Sequence, residues 1–130
     1  MKSIEVVAAI IVNDNKILCV QRGENRYKYI SKKFEFPGGK IEDGESKVEA
    51  LKREIFEELK MDIIPADEFI TVLHKYPDFN LIMHGFICTC RDTSLVLSEH
   101  IDFKWLNKSE LNRLDWAAAD IPIVEKLLAS

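Results

Sequence analysis

Three glutamates within five residues carry the strongest chemical signal in the chain. Glu57 and Glu58 follow Glu54 by three and four residues, which on a helix places the three carboxylates on one face. Like charges at this spacing repel by about 0.3 kcal/mol per pair. A hard divalent cation held by oxygen ligands would offset that repulsion. The turn Pro37-Gly38-Gly39 lies just upstream and could add backbone carbonyls to such a site. The alternative is a solvated acidic face, with Lys47, Lys52, Arg53 and Lys60 as ion-pair partners. The glutamates by themselves leave both readings open.

The segment that carries them reads as a helix from Glu45 onward. Val48, Leu51, Ile55 and Leu59 recur at spacings of three and four and form one apolar stripe. Each residue turns a helix by about 100°, so the acidic face lies to one side of that stripe. The stripe can pack on a sheet while the carboxylates look into a cleft. Residues 4–12 and 16–21 read as a hairpin whose turn is Asn13, Asp14 and Asn15. Residues 23–33 lack periodicity and read as a loop, and Pro37, Gly38, Gly39 and Gly44 break regular structure. Strands are expected over 69–76, 81–90 and 102–106, then a short helix capped by Ser109 and a last helix over about 117–128. Pro122 fits the first turn of that last helix. Strands mixed with two substantial helices predict an α/β sandwich.

The chain has 130 residues, enough for one domain spanning 1–130. Its 47% hydrophobic and 31% charged residues exclude a disordered tail or a fibrous repeat. No apolar run reaches the roughly 18 residues of a membrane span. The N-terminal apolar stretch lacks the basic flank and cleavage site of a signal peptide. A net charge of −4 argues against coating a nucleic acid polymer. A small anionic substrate would need a cation to mediate its binding. Cys19, Cys88 and Cys90 are odd in number and sit in apolar strands, which predicts buried thiols in a reducing, cytoplasmic compartment. His74, His84 and His100 show no metal-ligand spacing; the first two read as satisfied strand residues.

Gly39, Glu45, Arg53, Glu54, Ile55, Glu57, Glu58 and Met61 together resemble the Nudix box, G-x5-E-x7-R-E-U-x-E-E-x-G-U with U aliphatic. Lys60 stands where that motif has glycine, and a left-handed lysine there costs about 1 kcal/mol. EFPGGKIE (35–42), EVVAAII near the start and ADIPIVEKL (119–127) resemble the MutT branch, its CTP pyrophosphohydrolases and 8-oxo-dGTP diphosphatases especially. The resemblance implies a Nudix fold: an α/β/α sandwich with a central mixed sheet and a loop–helix–loop metal site. It implies Mg²⁺ or Mn²⁺ held by the Gly39 carbonyl and by Glu54, Glu57, Glu58 and Glu99. Glu54 or Glu99 would be the base, with Arg53 as a charged fork among the catalytic residues. Glu45 and Gly38 would support the loop, while Arg22 and Asp120 would bind substrate.

The implied reaction is hydrolysis of a nucleoside triphosphate at the β-phosphorus to a monophosphate and pyrophosphate. That activity would clear CTP-type or oxidised nucleotides from the pool and so prevent mutation. An ionised Asp120 would accept from a donor edge, such as the cytosine amino group or the N1/N2 side of a guanine. Phe36, Tyr76, Phe79 and Trp116 are candidate stacking partners. The competing expectations are hydrolysis of ADP-ribose or dinucleoside polyphosphates, and a catalytically dead nucleotide sensor. A monomer and a homodimer are both compatible with the sequence.

Overall fold

The computed structural model describes all residues, 1–130. The first hairpin forms as expected, from β1 (Ser3–Asn13) and β2 (Lys16–Arg22). Asp14 and Asn15 both take positive φ, 52° and 64°. Those are the two left-handed positions that a tight hairpin turn requires, and Asp and Asn tolerate them. Next come β3 (Phe34–Glu35), β4 (Gly38–Lys40), the helix α1 (Lys47–Leu59), β5 (Ile63–Lys75), β6 (Asn80–Cys90), β7 (His100–Leu106) and the helix α2 (Ile121–Ala129).

The strands form one mixed sheet in the order β3-β2-β1-β6-β5, with β4 also on β1 and β7 also on β2. β1 lies parallel to β6 and antiparallel to β2 and β4. β1 and β2 pair only near their turn, at Val12–Ile17 and Asn13–Lys16. Residues 34–40 fill the splay beyond it. Phe34 and Glu35 ladder onto β2, and Gly38 to Lys40 ladder onto β1. The glycine turn is therefore partly strand, contrary to the sequence expectation that it breaks regular structure. Glycine suits that strand because a Cβ on Gly38 would overlap the Val7 carbonyl.

Alternation along the strands feeds two cores. Val7, Ala9, Ile11, Leu18 and Val20 face α1, where Ala50, Leu51, Ile55 and Leu59 are fully buried. Ala8, Ile10, Ile17 and Cys19 face the other side, against Trp116, Ile123, Val124 and Leu127. Helix, sheet, helix is the layer order, an α/β/α sandwich.

Four local expectations need correction. Val48 is exposed, and Ala50 takes its place in the buried stripe. β5 starts at Ile63 rather than residue 69, with register shifts around Glu68 that carry it past Pro65. The short helix over Lys108–Arg113 is 3₁₀ and begins after Asn107, whose N–H donates to Glu110 at 3.0 Å; Ser109 lies inside it. A 3₁₀ turn, Ala118–Asp120, precedes α2, which puts Pro122 at the second helical residue. Cys19 and Cys88 are buried and Cys90 is half-buried. Burial pushes the Cys19 and Cys88 thiols up to about 12, so they are inert.

Candidate active site

α1 starts with a reciprocal cap: Ser46 accepts from the Glu49 N–H at 3.1 Å, and Glu49 accepts from the Ser46 N–H at 2.9 Å. It ends at Lys60 in the left-handed conformation, φ 56°. The helix terminus thus survives the missing glycine. The loop 91–99 is tied to that end: the Val96 N–H donates to the Leu59 carbonyl at 2.9 Å and the Ser98 hydroxyl to the Glu58 carbonyl at 2.8 Å. These bonds satisfy carbonyls that a helix end leaves free. They also bring Glu99, forty residues from the helix in sequence, to the acidic face.

Arg53 organises the loop before the helix. Its Nε donates to Glu45 at 2.6 Å and one Nη at 2.9 Å, a two-pronged bond. The same guanidinium reaches the Lys40 carbonyl at 3.0 Å, Glu54 at 2.9 Å and Glu57 at 3.2 Å. Hydrogen bonds from Arg53, and then from the Glu42 N–H, pull Glu45 down to about 2. The folded value lies below the ordinary 4.5. The pair therefore stabilises the fold in full above pH 4.5, and that contribution fades as pH falls toward 2. Arg53→Lys keeps the charge but loses the fork. It is expected to move acid unfolding to higher pH, read by circular dichroism; an unchanged midpoint would refute Arg53 as the loop's clamp.

Two adjoining hollows make one cleft. The first, about 550 Å³, is lined by Ile4, Val6, Tyr76, Phe79, Met83 and Asp120 among others. The second, about 630 Å³, is polar and is lined by Glu54, Glu58, Glu99 and His100. Arg22, Asn25, Glu35, Gly38, Gly39 and Lys40 line both. An apolar pocket thus opens onto an acidic floor across a wall of residues 35–40.

Glu58 is 7% exposed. Burial, a hydrogen bond with Glu54, and the charges of Glu54, Glu99 and Glu35 push its carboxyl up to about 9. Glu54 sits against Gly39, where a Cβ would overlap its carboxylate. Glu57 differs: its side chain is 57% exposed, and it leans on Arg53 outside the cleft lining. No three His, Cys, Asp or Glu side chains converge on one point at metal-ligand range. The acids that line the cleft supply hard oxygen donors, beside the His100 ring, and a divalent cation among Glu54, Glu58 and Glu99 would hold Glu58 ionised. The residues present fit such an ion.

The NUDIX domain family pattern matches residues 2–127. This chain belongs to the Nudix family. It is a Nudix hydrolase, 34% identical over 129 residues to the CTP pyrophosphohydrolase of Escherichia coli (strain K12), covering 99% of this chain and 94% of that protein. It is 28% identical over 127 residues to the 8-oxo-dGTP diphosphatase of the same strain, covering 98% of each. The crystal structure of a MutT protein from Methanosarcina mazei Go1 superposes with a TM-score of 0.86 at 26% identity, covering 97% of this chain and 93% of that one.

In this Nudix hydrolase, Asp120 does not cap α2. Its Oδ1 accepts from the Phe36 N–H at 2.9 Å instead, which pins the tail of the chain beneath the wall. Burial, and then the charge of Glu35, raise its carboxyl well above the ordinary range, against the pull of Phe36 and Arg22. A carboxyl shifted in that direction takes up a proton more readily, and once protonated it donates as well as accepts. Tyr76 and Phe79 line the pocket, as does Phe36, while Trp116 does not. Trp116 stacks on Phe36 at 4.7 Å as core. His84 is satisfied between Glu5 at 2.6 Å and Glu68 at 3.2 Å.

Sequence reasoning missed Glu35 and His100. Glu35 accepts from the Arg22 Nε at 3.0 Å and bonds the His100 Nε2 at 3.0 Å. Glu35 lay inside a quoted motif and His100 beside Glu99, but no spacing joins residues 65 positions apart. No helix is long and apolar enough to cross a membrane.

Proposed function

We propose that this Nudix hydrolase is a Mg²⁺-dependent (or Mn²⁺-dependent) nucleoside triphosphate pyrophosphohydrolase that sanitises the cytoplasmic nucleotide pool. The observation that carries this reading is the continuity of the two hollows. A base-sized pocket with a buried hydrogen-bonding carboxyl at Asp120 leads directly to a cleft of acidic oxygen donors. The relatives, a CTP pyrophosphohydrolase and an 8-oxo-dGTP diphosphatase, support the same substrate class.

The Gly39 carbonyl with Glu54, Glu58 and Glu99 would hold the ion, and Glu57 would join them only by leaving Arg53 and turning inward. Once bound, a divalent ion supplies charge neutralisation, polarised phosphoryl oxygens and a more acidic water. The chain's own residues do the rest. Asp120 and the Phe36 backbone meet the base edge, with Tyr76 and Phe79 as pocket walls. Arg22, at the junction of the hollows, meets the phosphate chain. Arg53 and Glu45 hold the loop that presents Gly39, which Gly38 packs against β1. Glu54 or Glu99 takes one proton from the attacking water. The water oxygen bonds to the β-phosphorus as its bond to the oxygen bridging the α-phosphate breaks. Nucleoside monophosphate and pyrophosphate leave.

Turnover with Mg²⁺ should be measured by separating the products from CTP, 5-methyl-dCTP, 8-oxo-dGTP, dGTP and ADP-ribose, pyrophosphate and a monophosphate marking a triphosphate, AMP and ribose 5-phosphate marking ADP-ribose. A triphosphate is expected to give the highest kcat/KM, with a monophosphate as its product. Turnover of ADP-ribose alone would replace this reading with that of a nucleotide-sugar hydrolase. Turnover of nothing would end it.

A further inference from the structure

We propose that His100 is a positioning residue that acts through Glu35 on Arg22 and so sets the guanidinium between the base pocket and the acidic cleft. His100 opens β7 directly opposite Arg22 on β2, at the point where the register of that pair shifts. Its side chain is 3% exposed. Glu35 already accepts from Arg22 through Oε1, and its Oε2 lies 3.0 Å from the His100 Nε2. An acceptor there assigns the ring hydrogen to Nε2. The other nitrogen, Nδ1, is the one buried side-chain polar atom in the protein without a hydrogen-bond partner. Glu58 lies 3.9 Å from it, beyond hydrogen-bond range. The bond to Glu35 is therefore the only hydrogen bond this buried ring makes. What the bond fixes is the Glu35 carboxylate, 16% exposed, which in turn holds Arg22.

Arg22 needs holding because other acids face it. Asp120 lines one of the two hollows that Arg22 borders and Glu58 lines the other. Glu35 stands between them and takes the Nε, leaving the outer nitrogens for substrate. Without His100, Glu35 keeps only its bond to Arg22, and nothing on the far side of the carboxylate fixes where that pair sits. Only the role of Arg22 toward a nucleotide rests on the functional reading above; the chain of contacts from His100 to Arg22 stands apart from it.

The test uses the ¹⁵N-labelled full chain in EDTA, without substrate. The Arg22 Nε–H resonance, assigned with Arg22→Lys, reports the bond to Glu35. A glutamine amide at position 100 reaches where the imidazole Nε2 sits, whereas an asparagine amide falls near Nδ1. His100→Gln is therefore expected to keep the resonance slow to exchange with water. His100→Asn and His100→Phe are expected to bring it to the rate of an exposed arginine. In the same buffer, titration with CMP and dGMP gives Kd. His100→Asn and Glu35→Gln should each weaken the better-bound ligand by roughly fivefold, and the double variant should be no weaker than either single one.

An unchanged Arg22 resonance in folded His100→Asn overturns the proposal, and so do additive losses in the double variant. If His100→Phe fails to fold, the glutamine–asparagine pair still decides. If the unaltered protein binds neither mononucleotide, the functional reading falls and the Arg22 resonance alone judges the relay.

Discussion

Glu58→Gln is expected to cut hydrolysis about a thousandfold while leaving the protein folded and more resistant to heat. The loss follows from the proposed role. A metal at phosphoryl oxygens contributes several kcal/mol to the transition state, and about 4 kcal/mol corresponds to a factor of about a thousand. The gain follows from electrostatics. Glu58 is buried, and burial with the charges of Glu54, Glu99 and Glu35 holds its carboxyl at about 9. A carboxyl raised on folding favours the fold while protonated and costs stability as pH rises from 4.5 toward that value. Glutamine has nearly the same shape and no such charge. In EDTA the Tm advantage of the variant should widen from pH 5 to pH 8. Steady-state rates with CTP and 8-oxo-dGTP, beside thermal melts, measure both halves. A fully active variant would remove Glu58 from the metal site, and a variant with lower Tm at pH 8 would remove the buried repulsion.

Gly39→Ala and Gly38→Ala, one residue apart, are expected to fail in opposite ways. The three atoms nearest a Cβ at Gly39 all belong to the Glu54 carboxylate, the far end of a flexible side chain. The backbone can stay, so the variant should melt near the parent. Glu54 would be pushed off its place beside Arg53, and a displacement of about 1 Å in a reacting group costs about a hundredfold in rate. A Cβ at Gly38 would meet the Val7 carbonyl and the Ala8 Cα, both backbone of the central strand. Those atoms cannot move without breaking the β1–β4 ladder. Overpacking of that kind costs about 3 kcal/mol, a fall in Tm of about 10 °C. Thermal melts and kcat separate the two. Equal loss of stability in both variants would show that the glycine pair serves packing alone.

The elements legible in the sequence were those with local causes. Val6 to Val12 with an Asn/Asp turn predicted the hairpin because β-branched runs and left-handed turn residues act over a few residues. Glu54, Glu57 and Glu58 were placed on one helix face by the 3.6-residue period. The Nudix box was legible because its spacings are fixed within one loop and one helix. Boundaries set by tertiary contact were less legible. β5 begins six residues early because β6 offers it a ladder, and Val48, in the first turn of α1, lies exposed while Ala50 is buried in its place.

By itself, then, the sequence determined the hairpin, the acidic helix and the family to which both belong, since each depends on residues close together in the chain. Tertiary structure alone decided which acids share a cavity. It buried Glu58 and left Glu57 outside. It joined Arg22, Glu35 and His100 into one hydrogen-bonded line. It also turned Asp120 away from its helix and onto the Phe36 N–H. Burial and hydrogen bonding between distant segments depend on how the strands splay around residues 34–40, and no periodicity in the chain encodes that opening.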